Sequence, residues 1–303
     1  MQATHCGGVK VQSAVVFGCA FFVSILSASA AIVDYPSAVD ALNPTHHYRL
    51  DETVFGSVAD TGVSPLAGMH EGAPEIGAPG VPLEGFGANN LALFDNNNGG
   101  VRLGPGSAFA TDVMTVAMWF QAPGGVQIGD RLFTNNVVRL NGGTEDSFQM
   151  VMTNGASGWS MAFATGNEDP QTPETMQIGI PSGFLNVQDN QWHHVVAVRN
   201  GDNIMNLVVV LDGVDITAQL TPTSAGWGTT GTNAHIGVRA DDAGSDHNHN
   251  GSIDDTAVWL NRALTVPEAQ GLYQAAFIPE PGSISLLLGA AALVGGRRRR
   301  PSI

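Results

Sequence analysis

The chain has 303 residues, is 43% hydrophobic and only 13% charged, and carries 38 glycines. That balance, with Val, Thr, Asn and Ser common throughout, excludes a helical bundle and favours many short strands joined by turns. Residues 31–278 hold seven arginines against 26 carboxylates, a net charge of −19, and the remaining cations sit at the two ends. An acidic body without a basic face excludes nucleic acid as a partner and leaves solubility or cation binding as the reason for its charge.

From the N-terminus, Lys10 precedes the apolar run 11–26, and the small residues "SASA" follow at 27–30. This is the pattern of a secretory signal, a helix cleaved near Ala30 or Ala31. Both cysteines, Cys6 and Cys19, fall within it. The mature chain is therefore expected to have no disulfide, no thiol nucleophile and no Cys-ligated metal.

The body, 31–277, reads as one domain. Short apolar runs at 46–50, 91–94, 113–121, 131–134, 148–152, 159–164, 192–199, 205–211, 234–238 and 252–260 alternate with Gly, Asn, Asp, Pro and Ser clusters. The spacing predicts an all-β sandwich of two antiparallel sheets, a jelly roll. In 113–120 both pleat faces are apolar, which predicts a central strand. "NGDN" between 199 and 205 predicts a hairpin turn. A short helix is expected over 265–276, with Thr265 and Glu268 forming a capping box and Pro267 in its first turn.

The last segment, 278–303, combines Pro279, Glu280 and Pro281 with an apolar run at about 284–294 and with Arg297, Arg298, Arg299 and Arg300. The run is shorter than the ~20 residues of a comfortable membrane helix. The arginines would hold its end on the cytoplasmic side, placing the body across the membrane. An ordinary C-terminal anchor is one reading. The three parts together resemble the PEP-CTERM sorting signal. That resemblance implies an exosortase-type processing enzyme as a partner, a transient hold on the inner membrane by a short transmembrane helix, and export to the cell surface or extracellular matrix.

Four stretches of the body resemble the laminin-G-like, concanavalin A-like jelly roll: "HHYRLDETVFGSVADTG", "ALFDNNNGGVRLG", "DNQWHHVVAVRNGDN" with "LVVVLDGV", and "NGSIDDTAVWLNRALTVPEAQGLY". They cover about 40–275 in order. The resemblance implies a structural Ca2+ joining first and last strands, and by position it nominates Asp51, Asp60 and Asp254 as ligands. Hard carboxylate oxygens suit that ion. Asp246, Asn248 and Asn250 also mimic the opening of an EF-hand loop. Its twelfth position is Ala257, however, and strands rather than helices flank it, so that reading is set aside.

Catalysis is not expected. Paired carboxylates must face each other across a glycosidic bond. Asp254–Asp255 and Asp51–Glu52 are neighbours, which in a regular strand point to opposite faces. The same rule separates His193 from His194, read as structural residues. No Gly-x-Ser-x-Gly is present. Trp159 and Trp227, beside Gly-rich turns, are the candidates for stacking on a sugar, whereas Trp119, Trp192 and Trp259 sit in strand patterns and are assigned to the core. The sequence thus reads as an exported, non-catalytic module that binds extracellular polysaccharide or a surface component in adhesion or matrix formation. The alternatives are a structural envelope or matrix protein and a divergent carbohydrate-active enzyme.

Overall fold

The computed structural model describes residues 34–86, 90–96, 99–124, 130–135, 148–153, 158–165, 176–201, 204–223, 232–238 and 248–278. The signal segment and the sorting residues Pro279, Glu280, Pro281 and Arg297–Arg300 lie outside them. Among the described residues no helix is long and apolar enough to cross a membrane.

In chain order the elements are α1 (Tyr35–Ala41), β1 (His46–Tyr48), β2 (Ser57–Val58), β3 (Gly68–Gly72), β4 (Glu75–Pro79), β5 (Leu91–Asn96), β6 (Gly99–Pro105), β7 (Val113–Gln121), β8 (Arg131–Thr134) and β9 (Gln149–Met152). They continue with β10 (Trp159–Thr165), β11 (Met176–Pro181), β12 (Trp192–Asn200), β13 (Val208–Leu211), β14 (Val214–Asp215), β15 (Thr221–Thr223), β16 (Asn233–Ile236), β17 (Asn250–Leu260) and α2 (Val266–Ala275). The strands form two antiparallel sheets. The first runs β14-β13-β12-β7-β17-β5-β4, with β1 added on β17; the second runs β15-β11-β10-β9-β8-β16-β6-β3-β2.

The two sheets face each other across an apolar core that includes Val116, Met118, Phe120, Phe133, Phe163, Val195 and Val258. A second apolar layer, with Tyr35, Val39, Phe86, Trp119, Val196, Trp259 and Leu272, covers the outer side of the first sheet beneath the two helices. This explains why β7 is apolar on both faces. It pairs along its whole length with β12 and along most of it with β17, and both its faces are buried.

The capping box of α2 forms as expected, with Glu268 N–H donating to the Thr265 side chain and the Glu268 carboxylate accepting from Thr265 N–H. α1 was not anticipated. Asp34 caps it by accepting from Ser37 N–H at 2.9 Å, and its seven residues bury only Tyr35, Pro36 and Val39. That is too short a pattern to show helical periodicity. The "NGDN" hairpin needs correction. β13 begins at Val208, not 205, because a 3-10 turn at Ile204–Asn206 intervenes and Ile204 and Leu207 drop into the core.

Candidate functional site

The strand register of the first sheet aligns a row of residues near one end. Gln121 at the end of β7 pairs with Trp192 of β12 on one side and with Ser252 of β17 on the other. Ser252 pairs with Phe94 of β5, and Phe94 with Glu75 of β4. Along this row runs a cleft of about 570 Å3, lined by Trp192, Gln121, Ser252 and Glu75 together with Asn190 and Gln191 from the loop before β12. Its volume is that of a small-molecule or oligosaccharide site.

One wall is held in place by a chain of short contacts. Asn190 adopts the left-handed conformation (φ 63°), and its N–H donates to the Ala122 carbonyl at 3.0 Å. Its own carbonyl accepts from the Gln121 side-chain amide at 2.9 Å and the Gln191 side-chain amide at 3.3 Å. Asp189 Oδ1 accepts from Gln191 N–H at 2.8 Å and lies 3.1 Å from His193 Nε2, whose Nδ1 is 2.7 Å from Asp212 Oδ2. Burial pulls the His193 pKa down, but the bonds to Asp212 and then Asp189 outweigh it and the net shift is upward. A protonated ring donates to both carboxylates at once, so His193 clamps the loop that orients the two glutamine amides.

The floor beside this cleft hides an acid cluster. Gly80 lines the cleft, and a Cβ there would sit 2.7 Å from Asp254 Oδ2 and 2.4 Å from Asn90 Nδ2. Asp254 Oδ2 accepts from Asn90 Nδ2 at 2.6 Å and from Val81 N–H at 3.1 Å. The expectation that Asp254 and Asp255 point to opposite faces is overturned. β17 is bulged here: Asp254 pairs with Trp119 but Ala257 with Ala117, and Asp255 turns through φ 45°. The extra residue flips the pleat, so both carboxyls reach the outer layer. Asp255 Oδ1 lies 2.7 Å from His47 Nε2, and His47 Nδ1 is 2.9 Å from Asp40 of α1. Burial lowers the His47 pKa, but the bonds to Asp255 and Asp40 overcome it and raise it to about 9. Burial, then repulsion from Asp255, pushes Asp254 well above the usual carboxylate range.

Of the three nominated calcium ligands, Asp51 and Asp254 come near each other electrostatically and Asp60 stands apart. Asp51 Oδ1 accepts from Leu91 N–H at 3.1 Å, and its Oδ2 pairs with Arg49 at 3.0 Å. The Asp60 carboxylate is taken up by His46 Nδ1 and by the N–H groups of His47, Gly62 and Leu66, all from its own segment. No cluster of three or more His, Cys, Asp or Glu side chains suited to a metal is found among the described residues. Around Asp254, three buried oxygens nevertheless lack a hydrogen-bond partner: Asp254 Oδ1, Asp255 Oδ2 and Asn90 Oδ1. They are hard oxygen donors of the kind calcium takes, which the dispersed Asp51 and Asp60 carboxylates, already engaged by Arg49, His46 and backbone N–H groups, are not left to be.

The tryptophans also sort differently than expected. Trp119 and Trp259 are buried at 1% exposure, as assigned. Trp192 is half-buried: it packs against the outer apolar layer, in keeping with its assignment, and also lines the cleft. The sequence hint was its place, directly after the polar run "QDNQ" and at the first position of a strand. Trp159 is half-buried on the other sheet, lying over Gly179 and donating from Nε1 to Thr221 Oγ1 at 3.1 Å. Trp227 lies outside the described residues. His194 is fully buried on the outer side against Tyr35 and Trp119, whereas His193 packs on Phe120, so the adjacent histidines do face opposite ways.

Solved structures resemble this one at low identity. Domain 4 of AbnA, a GH43 extracellular arabinanase from Geobacillus stearothermophilus in complex with arabinotriose, matches at 18% identity and TM-score 0.47, covering 77% of this chain and 98% of that one. The binding domain of botulinum neurotoxin serotype D/C matches at 12% identity and TM-score 0.48, covering 79% of this chain and 53% of that one. Trypanosoma rangeli sialidase matches at 13% identity and TM-score 0.49, covering 79% of this chain and 34% of that one. Likeness at this level says nothing about function here. No curated protein matches the sequence. The family model Laminin_G_3, described as the concanavalin A-like lectin/glucanases superfamily, matches residues 95–270. That span takes in most of both sheets and one side of the cleft, and it exceeds half of the chain: the protein belongs to this family.

Proposed function

We propose that the protein is an exported, non-catalytic module that binds glycan in the cleft between Trp192 and Glu75. The observation that carries this reading is the lining itself. An indole, oriented amides, a hydroxyl and a single carboxylate are groups that stack on and hydrogen-bond a sugar. Hydrolysis by paired carboxylates needs a second acid across the bond, and Glu75 is the one acid among the described lining residues. The site therefore replaces Trp159 as the favoured stacking position.

The signal-like residues 1–30 and the tail with Pro279, Glu280, Pro281 and Arg297–Arg300 support export, processing by an exosortase-type enzyme and a transient hold on the inner membrane. The partner is then extracellular polysaccharide or a surface component, in adhesion or matrix formation. A structural Ca2+ fits Asp254, Asp255 and Asn90; bound there, it would tie β17 to the segment before β5 and neutralise the buried acids.

A glycan array probed with the full chain, followed by reducing-end assay of the hits, tests the reading. Binding without turnover, lost in Trp192→Ala, is expected. Absence of binding would point to a purely structural matrix protein, and new reducing ends to an enzyme.

A further inference from the structure

Resting on the glycan reading of the cleft, we infer that its ligand is an uncharged chain of several sugar rings laid across the strands from Trp192 toward Glu75. The argument starts from register. Trp192, Gln121, Ser252, Phe94 and Glu75 are successive partners on five neighbouring strands. Four inter-strand steps of ~4.8 Å separate the two ends of the row, a span of about 19 Å. A single ring stacked on Trp192 would leave the Glu75 end unused, whereas an extended oligosaccharide spans both.

The chemistry of the row selects the charge class. Its polar groups are neutral apart from Glu75, and no lysine, arginine or histidine lines the cleft among the described residues. Asp189 lies directly behind the wall, and the body carries −19. A uronate, sulfate or sialate would meet only like charge in this field. A repeating cationic chain would find one carboxylate where it needs one per ring. Uncharged hydroxyls match what is present: Gln121 and Gln191 each have an amide nitrogen tied to the Asn190 carbonyl. Each amide keeps a second N–H and an oxygen to offer a hydroxyl, with part of its rotamer freedom already given up.

The experiment is calorimetric titration of the full chain at 0.15 M salt, the physiological ionic strength. The probes are neutral oligosaccharides from mono- to hexasaccharide and chains of matched length carrying uronate or free amino groups. Affinity for the neutral series should rise more than tenfold from mono- to tetrasaccharide and then level off. Uronate chains should bind at least tenfold more weakly than neutral ones. Trp192→Ala should lose more than tenfold for every length. Gln121→Ala, which leaves the half-buried indole in place, should lose severalfold, so the idea stays testable if the tryptophan variant misfolds. Glu75→Gln should narrow the gap between uronate and neutral chains. Affinity independent of length, or acidic or amino chains binding as tightly as neutral ones, overturns the inference while sparing the glycan reading. Failure of every class to bind overturns both.

Discussion

The Tyr35 hydroxyl and His194 Nε2 share a hydrogen bond of 3.0 Å that ties α1 to β12 beneath the outer apolar layer. Both groups are buried, and the histidine packs at a tilt against Trp119 and stacks on Tyr273. Burial is the main cause that drives the His194 pKa down to about 3, and burial likewise takes His249 to about 4. Both rings are therefore neutral in the folded protein.

A pH dependence follows with a definite sign. A ring of depressed pKa binds fewer protons folded than unfolded between its folded value and about 6.5, so its stability is complete above 6.5 and is lost as pH falls. Each ring should cost about 1.4 kcal/mol per pH unit in that window. Urea unfolding at pH 7, 6 and 5 checks this. Asp254 and Asp255, raised by burial, act in the opposite direction, so the contribution of a ring is isolated by comparing wild type with His249→Gln, and an equal slope in both proteins would show that the ring is solvated. Tyr35→Phe should destabilise the protein by about 1 kcal/mol.

The cleft wall has its own lever. His193 acts as a positioning residue, since it touches Asp189 and Asp212 rather than the cleft volume. Its folded pKa is raised, so the clamp is complete below pH 6.5 and weakens as pH climbs through the raised value. Glycan affinity should fall as pH climbs through that raised value. His193→Gln should bind weakly at every pH, with the dependence gone and the melting temperature lowered by only a few degrees. Wild-type affinity unchanged from pH 6 to 9 would count against the clamp.

Gly80 separates the cleft from the acid cluster. A methyl group there meets Asn90 Nδ2 at 2.4 Å and Asp254 Oδ2 at 2.7 Å, and the two are bonded to each other at 2.6 Å. Neither is a free side-chain end that can swing away. Gly80→Ala should therefore cost about 1–3 kcal/mol, the range for overpacking. Thermal melts of the two proteins decide it, and an equal melting temperature would mean that the floor gives way easily.

What the sequence reveals and what it hides divide along physical lines. β7 and much of β12 are legible because burial on both faces demands apolar runs, and α2 is legible because Thr265 and Glu268 write its start. The cleft was not. Trp192, Gln121, Ser252 and Glu75 come from four separate strands, and only long-range register aligns them. The pairing of Asp254 with Asp255 was misread because the pleat rule assumes a regular strand. The bulge that breaks it rests on a left-handed aspartate, a conformation that Asp adopts more readily than most residues but that spacing does not announce.

The orphaned oxygens of Asp254, Asp255 and Asn90 give the calcium reading a direct test. An unpartnered buried polar atom costs about 1–3 kcal/mol, and an ion that satisfies three of them stabilises the folded state alone. Millimolar Ca2+ should raise the melting temperature of EGTA-stripped protein, by an amount corresponding to about 2.7 kcal/mol at a hundredfold excess over Kd. Mg2+ should do less, because it demands a tighter octahedron and gives up its water reluctantly. Asp254→Asn keeps an oxygen for Val81 N–H and Asn90 but removes the charge that the ion needs. Its melting temperature should be indifferent to Ca2+. Wild-type protein that melts at one temperature with Ca2+ and with EGTA would mean that the cluster is held by protons and by the His47 ring alone.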